Sequence, residues 1–159
     1  MSKCLKYILI SSFILLGLYY SDVSAFEYRY TKSGFKYVVH KHNELAYQRA
    51  WCSAHNGIEE YENEDGTRID CLTSSNAVEF DFANKWQESI GQAEYYALMS
   101  GKKGMVVLIL EDPETEMKYF EKVKKVAEYH NLDVEYVTMD ILKLKNGKCQ
   151  LKECKCHKK

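Results

Sequence analysis

The run Met105-Val106-Val107-Leu108-Ile109-Leu110 constrains this chain more than any other segment. It is continuous, aliphatic and β-branched, and too short for an ordinary helix, so it reads as a strand covered on both faces. Such a strand needs helices on either side of its sheet, and the neighbouring sequence supplies them. Lys85 to Ser100 lacks proline, places Trp86, Ile90, Ala93 and Ala97 at helical spacing, and stops at Gly101. Glu114 to Asn131 carries Met117, Phe120, Val123, Val126 and Ala127 along one stripe, and Val134 to Met139 reads as a closing strand.

The preceding half is built differently. From Asn43 to Asn56, Leu45, Ala46, Ala50, Trp51 and Ala54 recur at helical spacing, with Asn43 as N-cap and Gly57 as terminator. Ile58 to Asn63 is a short strand that turns through Glu64-Asp65-Gly66-Thr67, where Asp-Gly is a strong hairpin signal, and Arg68 to Leu72 returns. After Thr73-Ser74-Ser75-Asn76, the segment Ala77 to Phe82 alternates, with Val78, Phe80 and Phe82 on one side and Glu79 and Asp81 on the other. The predicted order is α-β-β-β-α-β-α-β, an α/β fold with a mixed sheet flanked by helices. At 159 residues the chain holds one domain, placed over 43–140. Residues 26–42 form a lead-in and 141–159 a lysine- and cysteine-rich tail. A composition of 46% hydrophobic and 28% charged residues excludes a disordered chain.

The first 25 residues stand apart. Lys3 and Lys6 precede an apolar run from Tyr7 to Tyr20, followed by Val23-Ser24-Ala25, the pattern of a signal peptide cleaved before Phe26. The run is shorter than the roughly 20 residues that span a bilayer. The expected protein is exported, periplasmic or secreted, with no stable membrane association after cleavage. Without Lys3, Lys6 and Asp22 the chain keeps 20 basic and 22 acidic residues, a net charge of -2 with histidine neutral. Dedicated nucleic-acid binders show a basic excess, so a role on nucleic acid must rest on a local groove and on metal.

Cleavage leaves Cys52, Cys71, Cys149, Cys154 and Cys156 in an oxidising compartment. Cys52 and Cys71 lie in neighbouring predicted elements and are the preferred pair, although sequence does not fix connectivity. The spacing of the tail cysteines and His157 fits no common zinc pattern. His40, His42, His55 and His130 are scattered without ligand-like spacing, and Trp51 and Trp86 occupy helical core positions. No Gly-x-Ser-x-Gly or phosphate-cradling glycine loop occurs.

The chemistry concentrates in the middle. Asp70 on one strand and Glu79 and Asp81 on the next converge if those strands pair, and hard cations such as Mg2+ or Mn2+ take carboxylate oxygens. Lys85, four residues past Asp81, reaches the same place, and Gln92 and Tyr96 lie one turn apart on the helix that follows. With Gly66 ahead of Asp70, this series resembles the PD-(D/E)XK nuclease superfamily, closest to the branch with a Gln-x-x-x-Tyr helix motif. Gly66, Asp70, Glu79, Lys85, Gln92 and either Tyr95 or Tyr96 match in order, over roughly residues 43–140.

The resemblance implies a restriction-endonuclease-like α-β-β-β-α-β core with an added helix and strand. It also implies a metal-dependent nuclease acting on DNA or RNA, with Asp70, Glu79, Asp81, Lys85 and Gln92 as catalytic residues. Asp70, Glu79 and Asp81 would hold the metal, with Glu44 as an acid from the first helix. The chain departs from the family at Glu79-Phe80-Asp81, where an acid stands in place of the usual strand lysine, and Lys85 is positioned to replace it. The carboxylates are expected outside the core. The rival reading is an exported module without catalysis that keeps the fold and binds a partner through its surface or cysteine-rich tail.

Overall fold

The computed structural model describes residues 27–144, so the expected signal peptide and the tail beyond Leu144 lie outside the described residues. The chain divides into two units, one ending at Val39 and one beginning at His40. In the first, β1 (Glu27–Tyr30) pairs antiparallel with β2 (Lys36–Val39) in the stretch read only as a lead-in. The turn between them closes through Thr31 and Phe35, with Gly34 at φ +85°.

The second unit contains α1 (Glu44–Ala54), β3 (Ile58–Glu62), β4 (Arg68–Leu72) and β5 (Asn76–Phe82). A 3-10 turn over Ala83–Lys85 leads into α2 (Trp86–Ser100), and β6 (Lys103–Ile109), α3 (Pro113–His130) and β7 (Asp133–Val137) complete it. The five strands lie in the order β3-β4-β5-β6-β7, antiparallel from β3 to β5 and parallel from β5 to β7. This is an α/β fold on a mixed sheet with three helices, in the element order read from the sequence.

The double burial expected of β6 is met from both sides. Val107 and Ile109 pack with Val78, Phe80 and Phe82 of β5 against Tyr47 and Trp51 of α1. Val106 and Leu108 face the other way, against Ala93 of α2 and Val123 of α3. Burying side chains of this size contributes roughly 1.5–3 kcal/mol each, which makes the two faces of β6 the main source of cohesion.

The helix ends follow local chemistry. The Asn43 side chain accepts the Ala46 amide at 3.1 Å, as its N-cap position requires. Gly101 ends α2 at φ +67°. At the end of α1 the left-handed residue is Asn56, at φ 52°, and not Gly57. Gly57 is needed for space instead: a Cβ there would stand 2.3 Å from Cys71 Sγ and 2.7 Å from Cys52 Sγ. Those two cysteines form a disulfide that ties α1 to β4. Among the described residues no helix is long and apolar enough to cross a membrane.

Candidate functional site: a buried carboxylate cluster where two strands part

β4 and β5 pair through Cys71 with Val78 and Leu72 with Ala77, and the recorded register goes no further. Beyond it, the Phe80 amide donates to Asp70 Oδ2 at 2.7 Å, so a carboxylate takes the place of a backbone carbonyl. The phase of β4 changes at the same point. Cys71 belongs to the α1 face of the sheet, whereas Ile69 packs against Ala77 and Tyr96 on the other. Residues two apart share a face in a regular strand, so Asp70 sits where the strand rotates. Glu60, facing it across the β3–β4 pair, adopts φ 50°, a left-handed backbone conformation uncommon for glutamate.

This rotation brings together acids from three elements. Asp70 comes from β4, Glu79 and Asp81 from β5, and Glu44 from the first turn of α1. The carboxyls of Asp70 and Glu79 lie side by side, as do those of Glu44 and Asp81. Contrary to the expectation of exposed acids, Glu79 is 4% and Asp81 3% exposed. The reason is the α/β/α layering: with helices on both sides of the sheet, the polar side of β5 has no solvent-facing surface to occupy.

Burial and mutual repulsion decide the protonation. Burial, followed by the charges of Asp81 and Asp70, raises the Glu44 carboxyl to about 7. Asp70 is raised chiefly by burial, against the Phe80 amide that favours its charged form. Glu79 is raised by burial and then by the charges of Asp70, Glu44 and Asp81. Asp70 and Glu79 are close enough to titrate as a pair, and burial with mutual repulsion raises both. Asp81 is raised by burial, opposed by Lys85.

Lys85 ends the 3-10 turn with Nζ 3.4 Å from Asp81 Oδ1 and its side chain 50% exposed. Burial depresses its ammonium, but the Asp81 charge and hydrogen bond outweigh this and raise it, so it stays a cation. On α2, Gln92 is exposed and hydrogen-bonds Tyr96, while Tyr96 is buried within the electrostatic reach of Glu79 and Asp70. Tyr95 points elsewhere, its hydroxyl donating to Asp65 in the β3–β4 turn. Tyr96, and not Tyr95, is therefore the tyrosine on the acid cluster.

One oxygen of the set stands out. Glu79 Oε2 is buried and has no hydrogen-bond partner. A buried carboxylate oxygen without a donor is costly, and a set of hard oxygen donors around it suits a hard cation. Among the described residues no three His, Cys, Asp or Glu side chains are gathered at a single coordination point.

Sequence reasoning missed two members of the neighbourhood. Gln48 is 2% exposed and donates from Nε2 both to Glu60 Oε1 at 2.7 Å and to the Asp70 carbonyl at 2.6 Å. The signal was present for Gln48, which lies one helical turn after Glu44. Glu60 sits in a uniformly exposed edge strand and carried none. A separate cleft of about 400 Å³, bounded in part by Trp51, His55, Asn76, Asp133 and Glu135, takes in none of Glu44, Asp70, Glu79 and Asp81. Its polar walls are already paired, Trp51 Nε1 with Glu135 and Asn76 Nδ2 with Asp133. No protein-family model, curated protein or solved structure matches this chain.

Proposed function

We propose that this protein is an exported, metal-dependent nuclease of the PD-(D/E)XK type, hydrolysing phosphodiester bonds of DNA or RNA. One observation carries the reading. Four carboxylates from α1, β4 and β5 lie within electrostatic reach of one another where two strands part, and a Glu79 oxygen among them is buried without a donor. The restriction-endonuclease-like description of the sheet belongs to the same proposal, supported by the helix, the three antiparallel strands and the parallel crossover that follows.

The donor set fits Mg2+ or Mn2+, which would be held by Asp70, Glu79 and Asp81 with Glu44 completing the cage. Such a cation, when bound, polarises the phosphate and lowers the pKa of an attacking water. The protein's own groups do the rest. To hold a cation, Asp70, Glu79 and Glu44 would have to lose the protons that burial and mutual repulsion favour on them, and the cation's charge would offset the repulsion this creates. Lys85, anchored on Asp81, holds a positive charge at the rim, where it orients the water and offsets charge developing on phosphorus. Tyr96, braced by Gln92, closes the side of the cluster formed by α2. Lys85 lying against Asp81, and not away from the acids, is what this reading requires of it.

The deciding experiment uses purified residues 26–159 on plasmid DNA and on RNA. Degradation is expected with Mg2+ or Mn2+ and is expected to stop with EDTA. Because Glu79 is buried and Asp70 largely so, the control is the isosteric pair Asp70→Asn, Glu79→Gln, checked by circular dichroism. Equal degradation by that variant and the wild type sinks the proposal.

A further inference from the structure

Glu44, Gln48 and Cys52 recur at intervals of four along α1 and so form one stripe on a helix. All three meet the strand that carries Asp70 or the acids around it. Cys52 is bonded to Cys71, Gln48 donates to the Asp70 carbonyl, and Glu44 interacts with the charge of Asp70. The middle rung differs from the others. It lacks the permanence of a disulfide and is not an acid, yet it is nearly as buried as the disulfide.

A glutamine amide nitrogen has two N–H donors. Both are used here, one on Glu60 Oε1 and one on the Asp70 carbonyl. The consequence runs forward along β4. The Asp70 carbonyl is anchored at the point where the strand rotates, and the Asp70 side chain reaches across to the Phe80 amide. Glu60, held on the far side in its left-handed conformation, closes the support. Asp70 is thus fixed from behind by Gln48 and in front by Phe80, and Glu44 rides on the helix that carries Gln48.

We propose that Gln48 is a positioning residue of the carboxylate cluster, setting Asp70 at a fixed distance from Glu44 and Glu79 by tying α1 to β4 and, through Glu60, to β3. This rests on the reading of the cluster as a cation site. Gln48 touches neither metal nor substrate. Its replacement by the isosteric glutamate turns the double donor into a third acceptor facing a carbonyl and a carboxylate, which pushes β4 off α1 at that point. The Cys52–Cys71 bond, one turn further on, keeps the helix in place while this happens.

The test has two readouts on the full chain with its disulfide intact. In the metal-free protein, hydrogen exchange of the Phe80 amide reports whether Asp70 is still seated, with the Val107 amide in the buried strand β6 as reference. Gln48→Glu and Gln48→Leu are expected to speed exchange at Phe80 at least tenfold and to leave Val107 unchanged. Calorimetric titration with Mn2+ is expected to show dissociation constants at least tenfold weaker than wild type. An unchanged Phe80 rate overturns the inference, as does equal acceleration at both amides, which marks general loosening. Should the wild type take up no Mn2+ while Phe80 alone accelerates in the variants, the positioning role stands and the cation reading falls.

Discussion

Two carboxylates withdrawn from water lie at opposite extremes of satisfaction in this molecule. Glu111, directly after β6, accepts His40 Nδ1 at 2.7 Å, the Lys41 amide at 2.8 Å and the Tyr47 hydroxyl at 3.4 Å. Glu79, on the neighbouring strand, lies beside Asp70 and has a buried oxygen with no hydrogen-bond partner. Around Glu111 the chain brings donors, with His40 also stacked on Phe82 at 3.5 Å. Around Glu79 it brings Asp70, Asp81 and Glu44. Folding alone rewards the first arrangement and penalises the second. On the reading proposed above, a divalent cation would compensate this cost, since it has the matching charge and hardness.

The contrast can be broken most directly by paired isosteric changes. Glu79→Gln or Asp70→Asn is expected to lower Mg2+-dependent cleavage by about 100-fold or more, since the cation's contribution amounts to several kcal/mol. Glu111→Gln is expected to leave the cleavage rate within about threefold while costing about 1–3 kcal/mol of stability, because it strands donors. Plasmid cleavage and thermal melts on the same preparations read both. If Glu111→Gln abolishes cleavage in folded protein, the division between the two carboxylates is wrong.

Metal addition sharpens the same contrast. At a concentration about 100 times its dissociation constant, Mg2+ or Mn2+ is expected to stabilise the wild type by about 2.7 kcal/mol and Glu79→Gln far less. A melting shift of equal size in both locates binding elsewhere.

pH acts on the metal-free protein with a definite sign. A carboxyl raised by folding keeps its proton in the folded chain after the unfolded chain has lost it. Its contribution is therefore complete below the ordinary carboxylate range and is lost as pH rises through the folded value, about 7 for Glu44, with Asp70 and Glu79 also raised. The metal-free wild type is expected to melt several degrees lower at pH 8 than at pH 5. Glu79→Gln should flatten that dependence and melt higher than wild type at pH 8. A lower melting point there shows that the cluster is not under repulsion.

The smallest effect is expected at the rim. Lys85→Met is expected to slow cleavage about tenfold, yet to change stability by under about 1 kcal/mol, as befits an ion pair whose lysine is half exposed. Steady-state kinetics with a parallel melt separate the two.

Much of the fold was legible because its signals are local. The β6 run demanded cover on both faces and received it. Asn43 caps α1 as its side chain dictates, and the alternation over Ala77 to Phe82 put Glu79 and Asp81 on one side. The site was legible as a set of residue types in order, and less so as an arrangement. That Glu79 and Asp81 are buried depends on α2 closing over a face that, by its alternation, resembles a solvated one. The choice of Tyr96 over Tyr95 agrees with the four-residue spacing from Gln92, and the rotation of α2 turns Tyr96 inward and Tyr95 towards Asp65. Glu60 was invisible because an exposed edge-strand glutamate looks the same in sequence whether or not its backbone is inverted.

The sequence by itself determined which segments become helices and strands, their order, and the pairing of acids along β5, since hydrophobic period, caps and turn residues act over a few neighbours. Only the tertiary structure decided where β4 leaves β5, that Asp70 fills the gap by bonding the Phe80 amide, and that Gln48 and Glu60 stand behind it. Those contacts join residues from different elements, and their geometry depends on a strand rotation that follows no repeat in the sequence. The burial that raises Glu44, Asp70 and Glu79 likewise arises only when all three layers close.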